Sequence, residues 1–314
     1  MDQGSGIREL SPSLQKLAKS EINEDPNRTK SDILALREWL NKQPHLRSVE
    51  TTDQWLLVFL RGCKFSLERS KDKLDMYYTL RTTVPEFFSE RDPINDTIQQ
   101  VLKSGAFLPL KSCAKPDSPR PCLVRLGVFD SAEYHLADLI KVSFMITEIL
   151  MMEDDHFAIA GEELIIDLDG VGIAVIAQWT PSFAKKVTSC LEKSLPIRQR
   201  GNHILNTPVG FEAAYAIFRT FLSAKLKKRI KVHNQDYDAL NQHIPKTVLP
   251  LEYEGKDGTL QELIDHWKAK VESYRDWFLR EEKQCSEEEL RPEKTESSID
   301  LFGADGSFRK MDED

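Results

Sequence analysis

Residues able to do chemistry gather most densely between Leu164 and Val171, where an apolar run ends in Asp167, Leu168, Asp169 and Gly170. Two aspartates at that spacing, at the end of a strand, suit phosphoryl transfer, the first carboxylate as nucleophile and the second as general acid. That chemistry also requires a downstream lysine and an acidic pair for magnesium. Asp154 and Asp155, a candidate pair, lie upstream, so the order does not fit. The aspartates are read instead as satisfying loop amides where strand turns to loop. Glu153 to His156 lacks the second histidine of a zinc-binding helix. His203 reads as a hydrogen-bonded core histidine. The five cysteines (Cys63, Cys113, Cys122, Cys190, Cys285) form no CxxC, which fits reduced thiols and no zinc site. GxSxG, Walker and GxGxxG motifs are absent. No catalytic residue, cofactor or metal is expected, and the chain is not read as an enzyme.

The residues that stand out are cations beside an apolar helix. Val209 to Ser223 places Glu212, Arg219 and Ser223, with Ala216, on one narrow stripe at helical spacing. Val209, Phe211, Tyr215, Ile217, Phe218, Phe221 and Leu222 cover the rest. A surface helix is normally apolar over little more than a third of its circumference. On composition alone this segment is equally a buried core helix or a lid with something apolar beneath or above it. Arg198 and Arg200 precede it, on one face if their segment is a strand, and Lys225, Lys228 and Arg229 follow on one helical face. An apolar lid with basic groups at its hinge suits a protein that opens against an anionic membrane.

The elements around these residues fall into two textures. Up to about residue 92 the pattern is helical. Asp32 is a candidate cap for a helix carrying Ile33, Leu36 and Leu40, Thr51 or Thr52 caps the run through Leu60, and Pro85 marks the end of a charged helix. Beyond Asp92, β-type runs alternate with helical ones, which predicts an α/β domain with helices packed on a sheet. Leu260, Leu263, Ile264, Trp267 and Val271 form the stripe of a C-terminal helix. From about Gln284 the chain turns acidic and Ser-rich and reads as a mobile tail, although Leu301, Phe302 and Phe308 could dock or bind a protein partner. The domains are therefore drawn as 1–92, 93–283 and 284–314.

The bulk numbers bound the partners. With 314 residues, 40% of them hydrophobic and 30% charged, the composition is that of an ordinary globular protein. A net charge of −8 argues against general nucleic-acid binding, so any anion must meet a local patch. The apolar runs are too short to span a bilayer, and no secretory signal is visible. A cytoplasmic monomer, transiently peripheral at membranes, is expected.

Four motifs in order carry a resemblance. LLVFLRGCKF (Leu56 to Phe65) precedes LPIRQRGNHILNTP (Leu195 to Pro208), FLSAKLKKRI (Phe221 to Ile230) and LPLEY (Leu249 to Tyr253). From about residue 10 to 280 the chain resembles the CRAL-TRIO family of lipid-transfer proteins, in the branch of the α-tocopherol transfer protein and the retinaldehyde-binding protein. The resemblance implies a helical module packed on a mixed-sheet lipid-binding domain, with one hydrophobic molecule held under a mobile gate. The gate would carry Phe211, Ala214, Tyr215, Ile217, Phe218 and Phe221. Phosphoinositide headgroups would meet Arg198, Arg200, Lys225 and Arg229, whose forks and point charge suit phosphate.

The pocket wall is read partly from the sequence. The helix from Leu136 to Met152 sets Asp138, Lys141 and Glu148 on a polar stripe and Ile140, Ser143, Phe144, Thr147 and Met151 opposite. The two hydroxyls fit a mainly apolar pocket with a few orienting groups, or equally core hydroxyls bonded back to their helix. The resemblance adds Ile166, Val171, Val187, Cys190, Leu191 and Leu195. Gln199 and Asn202 stand where the tocopherol transfer protein is apolar, which leaves tocopherol-like and retinoid-like ligands both open. Gly210, Ala214 and Ala177 replace larger groups that touch membrane in that protein, so the gate inserts less deeply or uses Phe211 and Phe218. Glu254 replaces a usual glycine, at little expected cost on a loop. The expected function is transfer of one hydrophobic molecule at phosphoinositide-bearing membranes. The alternative is a membrane-recruitment or regulatory adaptor of the same fold.

Overall fold

The computed structural model describes residues 6–128, 130 and 133–292, without the Ala214 side chain; Leu301, Phe302 and Phe308 lie outside the described residues. Helices Pro12–Ile22, Pro26–Leu40, Asp53–Gly62, Leu67–Thr83 and Asp96–Ser104 come first. The side chains of Ser11, Asp25, Thr52 and Asn95 accept first-turn amides at four of their starts. Asp32 is therefore not a cap. Asp25, followed by Pro26 in the position where its missing N–H costs nothing, starts that helix earlier. Asp32 is buried inside it, 3.6 Å from Arg28. Pro85 follows the end of the charged helix and opens the short turn Pro85–Phe88.

Among the described residues, five strands, β1 (Phe107–Pro109), β2 (Arg120–Arg125), β3 (Glu162–Asp167), β4 (Gln199–Leu205) and β5 (Ile230–Asn234), lie side by side in chain order. Only β1 runs antiparallel to its neighbour. Each parallel connection needs a crossover, and right-handed crossovers that always step the same way stack their helices on one face. The crossovers carry Leu136–Glu153, then Ile173–Gln178 and Pro181–Ser189, then Phe211–Phe221. This is the α/β architecture expected from the alternation.

The polar stripe of Leu136–Glu153 is not a solvated face. Glu148 is fully buried and pairs with Arg81 at 3.0 Å and with Arg91, while Tyr77 donates to it at 2.6 Å. These partners come from the helical N-terminal region, so the stripe fastens that region to the sheet domain. Arg61, buried within LLVFLRGCKF, makes a second fastening to Glu24 at 2.9 Å and Asp155 at 2.7 Å. Beside it, Gly62 approaches the Pro196 backbone so closely that a Cβ would collide.

At the C-terminal end, Leu260, Leu263, Ile264, Trp267 and Val271 are all buried on Leu260–Ser273, which opens with a Thr259–Glu262 capping box. Residues 284–292, drawn with the tail, dock on the N-terminal helices: the Ser286 amide donates to Tyr78, and Arg291 pairs with Asp75 at 2.9 Å. Glu254 adopts φ +54. Left-handed backbone costs a non-glycine residue roughly 1 kcal/mol or more, so the cost there is larger than expected, although Lys246 pairs with its carboxylate at 2.9 Å.

Candidate functional site

The three crossovers and the sheet line a cavity of about 250 Å³. Its floor is the crossover face of the strands: Leu164 and Ile166 from β3, Ile204 from β4 and Ile230 from β5. Leu139, Ile140, Ser143, Phe144 and Thr147 form one wall, and Val171, Val187 and Leu191 stand on another. Ser143 faces the cavity while its hydroxyl donates back to Leu139 at 2.8 Å, so both readings of that residue hold at once. Cys190 and Leu195 are fully buried but outside the lining. The reason is the wide π-type turn Cys190–Ser194, where the Leu195 amide bonds to Cys190 and the face presented shifts by a residue.

Phe211, Tyr215 and Phe218 of Phe211–Phe221 roof the cavity. Phe218 meets Trp179 edge-on at 5.4 Å, and Phe211 stacks on Tyr215 at 5.2 Å. Phe221 is half-buried beside the lining, and Ile217 is exposed. None of the described side chains of this helix is fully buried. A core helix is thereby excluded; it is an apolar surface helix over a cavity. Phe211 and Phe218 point inward and do not supply the outward apolar face. Val209 at 99% exposure and Ile173 at 84%, with Ile217, do.

The polar end of the cavity depends on a bulge. Glu162 of β3 pairs with Gln199 of β4, yet Glu163 pairs with Gly201, leaving Arg200 as an extra residue. In a regular strand Gln199 and Asn202 would face opposite sides. The bulge turns both into the cavity beside Glu162, and sends Arg200 out of the ladder. Glycine is required just upstream: Gly161 has φ +90, and a Cβ would strike the Arg198 carbonyl. Burial pushes the Glu162 carboxyl up to about 7, against a hydrogen bond from Gln199 that pulls the other way. Sequence reasoning missed Glu162. Its signal was a pair of glutamates, Glu162 and Glu163, opening the strand ahead of Leu164, Ile165 and Ile166, where alternation sends one of the pair to each face.

The four cations gather at the cavity's edge. Arg198 is nearly buried, donating to the Ile159 carbonyl and to Glu21 at 3.1 Å. Arg200 donates to Ala160 and to the same Glu21 oxygen at 2.9 Å. Arg229 donates to the Gln199 carbonyl, and Lys225 is exposed. Partial burial and then their neighbours' positive charge hold Arg198, Lys225 and Arg229 below their ordinary pKa values. Lys64 and Arg69, exposed on the N-terminal region, are among the charges that act on Lys225 and widen the patch. Glu21, from Pro12–Ile22, is held below the usual carboxylate range by the two arginines.

The rival chemical motif is structural. Asp167 accepts from the Asp169 amide and Asn206 at 2.9 Å each, and from the Tyr253 hydroxyl, which explains the tyrosine of LPLEY. His203 is fully buried on the opposite face of the sheet, 2.8 Å from both Glu163 and His233. Among the described residues no group of three or more His, Cys, Asp or Glu could hold a metal ion. No helix among them is long and apolar enough to cross a membrane.

Comparison with known proteins places this architecture. Residues 116–255 match the model of the CRAL/TRIO domain, and residues 25–98 that of the Pinta-like UBA domain. Human (Homo sapiens) clavesin-2 is 30% identical over 247 residues, 78% of this chain and 75% of its own. The chain belongs to the CRAL-TRIO family. Human alpha-tocopherol transfer protein-like is 29% identical over 272 residues, covering 87% of this chain and 78% of that protein. The crystal structure of Sfh5 aligns with 86% of this CRAL-TRIO chain and 99% of its own, at 14% identity and a TM-score of 0.48. The family is one of lipid-binding and lipid-transfer proteins, and the apolar cavity is the feature of this member that suits such a ligand.

Proposed function

We propose that this chain is a cytoplasmic carrier that holds one hydrophobic molecule, tocopherol- or retinoid-like, and exchanges it at phosphoinositide-bearing membranes. The observation that carries this reading is an apolar cavity roofed by a helix with no fully buried described side chain, lying beside a cationic patch. Burying an apolar ligand gains roughly 25 cal/mol per Å², so a loaded carrier needs a trigger for release. Anionic headgroups at Arg198, Arg200, Lys225 and Arg229 supply it by binding the open state better than the closed one, which shifts the population. Val209, Ile173 and Ile217 then enter the lipid, and the ligand passes between two apolar media.

The first test is mass spectrometry of organic extracts from the purified protein after incubation with a mixed lipid and isoprenoid extract. One enriched species near one per chain is expected; no enrichment by folded protein overturns the carrier reading. Lys225 is the cation of choice for testing the trigger, because Arg198 and Arg229 hold backbone carbonyls and their loss disturbs the fold. Lys225→Ala is expected to slow transfer to phosphoinositide vesicles several-fold with ligand retention unchanged. Equal loss of retention and transfer would sink the mechanism.

A further inference from the structure

The cavity walls are hydrocarbon almost throughout, yet Glu162, Gln199 and Asn202 converge at one place on its lining. Glu162 is 3% exposed and Asn202 6%. Among the described residues no cation pairs with Glu162; the Gln199 amide is its polar partner. A carboxyl group taken out of water without a counter-charge is costly, and the bulge that holds it beside two amides is an irregularity the sheet does not need. Such an arrangement is stable when a bound group completes it.

We infer that this cavity selects apolar molecules bearing a hydrogen-bond donor at one end, a hydroxyl or an amine, which donates to Glu162 beside the Gln199 and Asn202 amides. The inference rests on the carrier reading and names the chemical class of its ligand. A carboxyl group accepts strongly from a hydroxyl and pairs with an ammonium. A pure hydrocarbon leaves the buried carboxyl with the Gln199 amide alone to bond it, and a fatty acid sets one carboxyl against another, so that one of the two must stay protonated. Because Glu162 titrates near neutrality, the preference sharpens as pH rises through about 7 and the group ionises. Amines then gain and acids lose. The amide groups can each donate and accept, so they orient the end group without fixing which donor it is.

The test uses the full chain, incubated with an equimolar mixture of hexadecane, hexadecanol, hexadecylamine and hexadecanoate, with bound species counted by mass spectrometry. Hexadecanol and hexadecylamine are expected to exceed hexadecane by about tenfold, the cost of leaving a buried acceptor unpaired. Hexadecanoate is expected to fall further behind between pH 6 and pH 8.5. Glu162→Leu, with folding verified by thermal unfolding, should bring alcohol and hydrocarbon to parity, and Glu162→Gln should keep the alcohol while losing the pH dependence. Equal binding of all four probes by the unaltered chain overturns the inference and leaves the carrier reading standing. Binding of none by folded protein overturns both.

Discussion

Glu162 ties ligand choice to stability at the level of a single side chain. Burial pushes its carboxyl up to about 7 in the folded chain, from an ordinary value of 4.5. The folded state therefore binds more protons than the unfolded chain between those values, so stability falls as pH rises through that window. Below it both states are protonated and the term vanishes; above it the loss is complete. Ligand-free Glu162→Gln is expected to match the unaltered chain near pH 4 and to exceed it by about 3 kcal/mol at pH 8, measured by urea unfolding. A gap that is constant with pH would mean that the carboxyl is already paired.

Pro12–Ile22 and β4 meet at Glu21, where one carboxylate oxygen takes both Arg198 and Arg200. In the proposed exchange a phosphate group approaching those guanidinium forks would displace it, so the N-terminal helix would compete with the headgroup. Glu21→Gln keeps the shape and removes the charge. It is expected to raise affinity several-fold for vesicles containing phosphatidylinositol bisphosphate, with a smaller gain on phosphatidylserine vesicles of equal charge. Unchanged affinity would show that Glu21 swings aside at no cost. The helix Phe211–Phe221 obeys the same logic of placement. Its pattern announced an apolar segment with two greasy sides, but Phe211 and Phe218 face inward and the outward contacts pass to Ile173, Val209 and Ile217.

The whole molecule is held by buried charge as well as by its apolar core. Arg81, from the helix Leu67–Thr83, and Arg91, from the loop before Asp96–Ser104, close on Glu148, and all three are buried. Removing the shared anion leaves two arginines out of water, which typically costs about 3–5 kcal/mol. Glu148→Leu is expected to lose stability on that order by denaturant unfolding. Loss of only a few tenths would mean that water reaches the arginines. With net charge −8, the molecule repels anionic surfaces at long range; in the proposed exchange the local cationic patch makes the contact, so vesicle binding should weaken with salt.

Much of this was legible in the residues. Alternating strand and helix runs dictated a sheet with crossovers, because apolar faces of period 2 and period 3.6 must be buried against each other. Side-chain direction along a helix placed Ile140, Ser143, Phe144 and Thr147 on one face, and that face lines the cavity. The order of cations around an apolar segment showed two clusters flanking it, and the fold brings those cations together at one edge of the cavity. Tertiary structure decided the rest. The π-type turn swung Cys190 out of the lining, and a one-residue bulge put Gln199 and Asn202 on the same side as Glu162. Long-range pairing brought Glu21 to Arg198 and Arg200, and Arg81 and Arg91 to Glu148. Sequence periodicity fixes which way a residue points only while the backbone keeps its repeat. Where a turn widens, a strand bulges or a charge finds its partner across the chain, direction and partner are set by three-dimensional packing alone.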